Sequence, residues 1–354
     1  MRRVILIAST LLNPIATVGR PKCAAIAALL GSAVVMSLAV QLGAQAAPAR
    51  KFSRTVDQRL VIGEHDGTEL LNPRSIVADR EGGFYLYDAG EHQILAFSRT
   101  GSLRWRAGRR GAGPGEYLGV GDLEVGRRGD VHILDGSNAR ITILSSSGSL
   151  KGSVSLPSQM RRLLPPLLDG QQLVVPHGAF VSMTLSLSGV PVREHALPSG
   201  VAFPADITGE PYTAALDSGA VIAYRWSSTL VLLRPEGSVR LVSPGVERIP
   251  FPSPRTYDVT MGSQKMKVTR VDPNAVPAAV SVTGRRNKFC VLFRGATSAR
   301  GRIVDFYDGM SGQYEGSLTL PHAVAEIAWL SDGRLATLEL EPLPVVRIWN
   351  VGWR

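Results

Sequence analysis

Cysteine is almost missing from this chain: Cys23 and Cys290 are its only two in 354 residues. So few exclude a disulfide framework and any cysteine-rich metal cluster. The familiar catalytic signatures are missing as well. There is no HExxH, no GxSxG and no phosphate-loop sequence, and the six histidines stand singly, never at i, i+4 spacing. Aromatic residues make up only 6% of the chain, and charged residues 19%. Nevertheless 44% of the residues are hydrophobic, enough for a sizeable core and too many for wholesale disorder.

Acidic residues are lacking from one region altogether. The first 46 residues carry Arg2, Arg3, Arg20 and Lys22, no Asp or Glu, and an apolar run from Cys23 to Leu42. The run closes on Ala44-Gln45-Ala46, a small-x-small pattern. This predicts a signal peptide cleaved after Ala46 and an exported, periplasmic or extracellular protein. The competing reading is a retained N-terminal membrane anchor, since the apolar run is long enough to span a bilayer. Without the leader, 35 Lys and Arg face 29 Asp and Glu, so residues 47–354 are moderately basic. Cys290 then stands alone inside the apolar "KFCVLF" and reads as a core residue.

What the chain has in abundance is turns. Thirty-seven Gly and 23 Pro separate short runs of Val, Ile and Leu, as an all-β protein requires. Two stretches repeat: "SIVADREGGFYLYDAGEHQILAFSRTGSL" from Ser75 and "DLEVGRRGDVHILDGSNARITILSSSGSL" from Asp122. Gly82 and Gly101 in the first, and Gly129 and Gly148 in the second, are 19 residues apart, and the copies are offset by 47. Weaker copies follow at Gly170 with Gly189 and at Gly219 with Gly237, then from about Pro277 and from Glu326. Six units of this length, each too thin to bury both faces, predict a six-bladed β-propeller. The last unit lacks an outer strand, and "FSRTVDQRLVIGE", Phe52 to Glu64, can supply it, closing the ring. Between Gly219 and Asn287 the frame is stretched, and the alternation around 253–272 predicts an inserted β-hairpin.

The first copy resembles the NHL-type propeller repeat. Pro73, Ile76, Val77 and Asp79 match its inner strand, Asp88 its second strand, and Glu91-His92-Gln93-Ile94 its turn. The second copy carries Asp135, Asn138, Arg140 and Ile141 at the same places, with Gly126 where Asp79 stands in the first. "GRRGAGPGEY", residues 108 to 117, is similar to a loop between early blades of an exported bacterial six-bladed propeller family of largely unknown function. The loop is followed by strand-like alternation rather than a helix, and Pro114 removes an N–H, so it turns a corner and does not grip phosphate. Glu116 is expected to hold loop N–H groups or Arg109 or Arg110, while Tyr117 packs.

Aligning inner strands on their turn glycines brings Ser75, Asp122, Leu163, Tyr212 and Glu326 to equivalent positions. In a ring, Glu326, Ser75 and Asp122 are neighbours. Two carboxylates and a hydroxyl could hold Ca²⁺ or another divalent ion, or share acid and base roles. The resemblance to gluconolactonase-like propellers implies a metal-dependent lactone or ester hydrolase, although Leu163 and Tyr212 break that family's ligand set and Arg74 opposes a cation. The preferred expectation is a binding module of the cell envelope without a cofactor. Its contact residues are Arg74, Arg109, Arg110, Glu116, Tyr117 and Tyr212, and its partner is an envelope protein or a glycan. A structural scaffold in an envelope complex is the remaining alternative. Some NHL propellers bind RNA, but export and the scarcity of stacking aromatics near the basic loop, where Trp105 and Tyr117 are nearest, argue against nucleic acid.

Overall fold

The computed structural model describes residues 49–63, 68–156, 172–177, 180–186, 190–196, 211–249, 252, 254–261, 264–272, 274–295 and 299–353. The leader with its cleavage point or anchor, Leu163, Gly170 and Gly189 lie outside the described residues. Those described belong to one compact unit, 47–354, and contain strands but no helix.

The strands are β1 (Arg54–Ile62), β2 (Pro73–Ala78), β3 (Phe84–Asp88), β4 (Gln93–Phe97) and β5 (Leu103–Ala107), then β6 (Val120–Val125), β7 (Val131–Asp135), β8 (Arg140–Leu144) and β9 (Leu150–Ser155). They continue with β10 (Gln172–His177), β11 (Phe180–Ser186), β12 (Pro191–His195), β13 (Pro211–Leu216), β14 (Gly219–Tyr224), β15 (Ser227–Leu233) and β16 (Val239–Pro244). After β17 (Pro254–Met261) and β18 (Gln264–Val271) come β19 (Ala279–Arg285), β20 (Lys288–Phe293), β21 (Ile303–Asp308), β22 (Tyr314–Thr319), β23 (Glu326–Trp329), β24 (Leu335–Glu339) and β25 (Val345–Trp353).

Each run of four consecutive strands is an antiparallel meander. Four such sheets, β2–β5, β6–β9, β13–β16 and β19–β22, are built from sequence neighbours. A fifth is ordered β1-β25-β24-β23, so a strand from residues 54–62 completes a sheet whose other strands come from 326–353. Its register runs from Arg54 opposite Trp353 to Ile62 opposite Val346, with an irregularity between Gln58 and Leu60. β10–β12 form a three-stranded sheet, and β17 with β18 a separate two-stranded ladder. The architecture is an all-β propeller. It corrects the expectation of six full blades: among the described residues five are complete, because residues 157–171, where the third copy's inner strand was expected, are not described.

The sheets stack face to face around an axis. β23 lies beside β2, β2 beside β6, β13 beside β19 and β19 beside β23. Apolar side chains fill gaps between neighbouring sheets. Ile62, Phe84, Leu86, Leu338 and Ile348 pack between the closing sheet and the first. Tyr85, Tyr87, Ile94, Tyr117, Leu123 and Ile133 pack between the first and second. Leu134, Ile141, Val154 and Leu156 receive Met183 and Leu185 of β11, seating the three-stranded sheet against the second blade. Cys290 is fully buried between β19–β22 and the closing sheet, and burial pushes its thiol pKa up, so it stays an inert, protonated core group.

Candidate functional site

The innermost strand of every blade is a sheet edge, and its outward N–H groups need partners. Side chains of the neighbouring blade provide several. Ser281 Oγ and Thr283 Oγ1 on β19 accept from Ile327 N and Trp329 N at 3.2 and 2.9 Å. Glu326 Oε2 on β23 accepts from Ile76 N of β2 at 2.9 Å. Between β13 and β6, Thr213 Oγ1 donates to Glu124 Oε1 at 3.4 Å. Small hydroxyls and carboxylates on the axial strands thus knit blade to blade.

The space they enclose is an axial channel of about 480 Å³, lined by β2, β6, β13, β19 and β23 and the turns that follow them. Ser75, Asp122, Tyr212 and Glu326 all line it, so four of the five residues aligned from sequence meet in one cavity. Tyr212 and Glu326 also border a second cleft, of about 760 Å³, at the end where the axial strands begin, together with Arg74, Arg225, Arg294 and Arg300. Ser75 and Asp122 are each 8% exposed. Among the described residues no three His, Cys, Asp or Glu side chains converge as a metal-binding group. Asp122, Glu124 and Glu326 therefore present acceptors along the channel without forming a metal cage of their own.

The loop 108–117 sits elsewhere; none of its residues lines the channel or the cleft. Glu116 is its organiser. Its carboxylate accepts from Gly113 N and from Arg109 Nε, both at 2.7 Å, and these bonds, the backbone one foremost, hold its pKa below the usual carboxylate value. Arg140 donates to the carbonyls of Ala112, Gly113 and Glu116. Tyr117 is fully buried, and Gly108 at φ 108° leaves room for its ring, which a Cβ would strike at 2.3 Å. Arg110 pairs through its main chain with Tyr117. The structure thus separates Arg109, Arg110, Glu116 and Tyr117, which build a corner, from Arg74 and Tyr212, which border the channel mouth.

Sequence reasoning missed several axial residues. Glu124, Thr213, Ser281 and Thr283 emerge only when neighbouring blades are docked. Arg80, Arg285 and Arg286 line the opposite end of the channel, where the axial strands turn outward. A signal for two of them was present: Gly-Arg-Arg occurs at 108–110, 126–128 and 284–286, and the latter two triplets fall on axial turns.

No family model matches the chain. A curated protein of Caenorhabditis elegans, named "Probable peptidyl-alpha-hydroxyglycine alpha-amidating lyase", is 24% identical over 182 residues, 48% of this chain and 49% of that protein. The chain therefore spans about half the length of the curated relative it matches. Among solved structures, a "Putative exported protein" of Bacteroides fragilis aligns with TM-score 0.51 at 10% identity over 85% of this chain and 95% of that one. Virginiamycin B lyase of Staphylococcus aureus aligns with TM-score 0.48 at 11% identity over 84% and 99%. At such identities the likeness is one of fold alone, and the fold is that of a β-propeller.

Proposed function

We propose that the protein is a ligand-binding propeller that takes a small, hydroxyl-rich ligand, sugar-sized, at the mouth of its axial channel. One observation carries this reading. Polar side chains from different blades, Ser75, Asp122, Tyr212 and Glu326, line one cavity whose volume suits a small molecule. Carboxylates and hydroxyls accept and donate to sugar hydroxyls, Tyr212 offers a ring face, and Arg74 adds a donor at the rim. The test is saturation-transfer NMR on the full chain with a panel of mono- and disaccharides. Signals that vanish in Tyr212→Ala are expected; no transfer from any sugar, or transfer indifferent to Tyr212, overturns the reading.

The NHL-like repeat pattern and the basic, apolar leader support two finer parts of this proposal. The ring has six blades; a crystal structure with five would refute it. The protein is exported and acts in the cell envelope; N-terminal sequencing of the exported form should begin at Ala47. A second reading, metal-dependent hydrolysis, is favoured by Asp122 and Glu326 lining the cavity beside Ser75, and the partial similarity to a lyase is a further reason to look for chemistry. It requires one tightly held Ca²⁺ or other divalent ion per chain that Asp122→Ala releases. A chain that takes up no metal on titration eliminates it.

A further inference from the structure

At the end where the axial strands turn outward, arginines latch blade to blade. Arg80 Nε donates to Gly126 O at 3.2 Å, Arg127 to Asp217 O at 3.4 Å, Arg285 Nε to Ser331 O at 3.1 Å, and Arg334 to Gly82 O at 3.1 Å. The bonds of Arg80, Arg285 and Arg334 each join the axial turns of adjacent blades, and that of Arg127 joins the β6–β7 turn to the β13–β14 turn. Such latches alone would make these arginines structural, but their charges are not balanced alike. Asp79 is paired with Arg104 at 2.7 Å, and Asp332 with Arg99 and Arg334 at 3.0 and 2.8 Å. The carboxylates of these turns are thus neutralised by arginines that do not line the channel. Arg80, Arg285 and Arg286 do line it, and among the described residues they form no ion pair.

Arg80 and Arg285 spend only Nε on their latches, so the forked ends of both guanidinium groups keep their donors. Arg286 makes no side-chain latch and sits at φ 54°, a left-handed conformation that favours Gly or Asn. An arginine held there at a conformational cost, beside a cavity, is the kind of strain that sites retain. Arg127 in the turn that follows β6 is exposed and adds to the positive field, while Glu124 and Asp217 line the same cavity. Arg80 and the Arg285–Arg286 pair come from turns of different blades and line one cavity, which suits a compact ion better than an extended polymer.

We propose that this end of the channel binds a compact oxyanion of two or more charges, held by Arg80, Arg285 and Arg286. The site is distinct from the mouth bordered by Tyr212 and Arg74. The test is isothermal titration of the full chain with inorganic tripolyphosphate and, separately, with citrate, at low and at physiological ionic strength. One site per chain is expected, weakening with salt. Heat with tripolyphosphate alone identifies a phosphoryl ligand, and heat with citrate identifies a polycarboxylate. Arg286→Gly suits the left-handed turn, so it should keep the melting temperature while weakening binding about tenfold. Arg80→Gln is the second variant, with the same expected direction. No heat with either anion, or binding that survives both substitutions together, overturns the proposal. So does binding lost instead in Arg294→Ala, which lies at the opposite end. Sugar signals at the mouth should persist in Arg286→Gly, so this site and that reading can fail separately.

Discussion

Asp88 and Asp135 end the second strands of the first two blades and do the same work. Asp88 accepts from Leu71 N, Asn72 N and Gly90 N, and Asp135 from Leu118 N, Gly119 N and Asn138 N. Each carboxylate thereby ties the chain entering its blade to the turn between second and third strands, and both are buried. The repeated aspartate in the sequence is a structural tie and not a reacting group. The turn it organises demands a left-handed residue: His92 has φ 53° and Ala139 has φ 47° at the matching position. Replacing Ala139 by Gly should relieve that strain and raise stability by about 1 kcal/mol in urea unfolding. His132 carries the clearest dependence on pH. It is 7% exposed in β7, and burial lowers its pKa from 6.5 to about 4. Between those values the unfolded chain binds a proton that the native state refuses. Stability should therefore fall as pH drops from about 6.5 to 4, by up to roughly 3 kcal/mol, and His132→Leu should flatten that part of the profile.

Among the elements, β1 has the largest consequence for its length. Its backbone ladder runs along β25 alone, yet its Ile62 is fully buried with Leu70, Ile76, Phe84 and Leu338, side chains of two different blades. Ile62→Ala should cost about 3 kcal/mol and lower the midpoint of the whole unfolding transition, not of one sheet. Deleting residues 52–64 should destabilise every blade; a truncated chain that melts like the parent would disprove closure by this strand. This element was legible beforehand because a missing outer strand at one end of the repeats and an unpaired strand at the other are both visible as alternation. The hairpin of β17 and β18 was legible for the same reason, with Tyr257 opposite Val268 and Val259 opposite Met266. The axial ties were not. Ser281, Thr283 and Thr213 are short polar residues in apolar strands, and their partners lie 46 to 89 residues away, so no local pattern marks them. The glycines of the loop 108–117 mark a corner, while the same Gly-Arg-Arg triplet on the axial turn at 284–286 carries residues that line the channel.

For the molecule as a whole, the arrangement of charge departs from what the net value implies. The excess of basic residues is modest, but the channel divides it. Asp122, Glu124 and Glu326 lie along the axial strands, and Arg80, Arg285 and Arg286 stand where those strands end. Arginines also stand at the opposite end, where Arg74, Arg225, Arg294 and Arg300 border the cleft, so the carboxylates of the axial strands lie between two basic rims. Ring closure constrains the molecule in time as well as in space. The edge strand made first must wait for residues 345–353, synthesised nearly 300 positions later, before it finds its ladder. While the chain is growing from the ribosome, the ring stays open and its first strand unsatisfied. A chain that stops short of the last blade therefore keeps a free strand edge along residues 54–62.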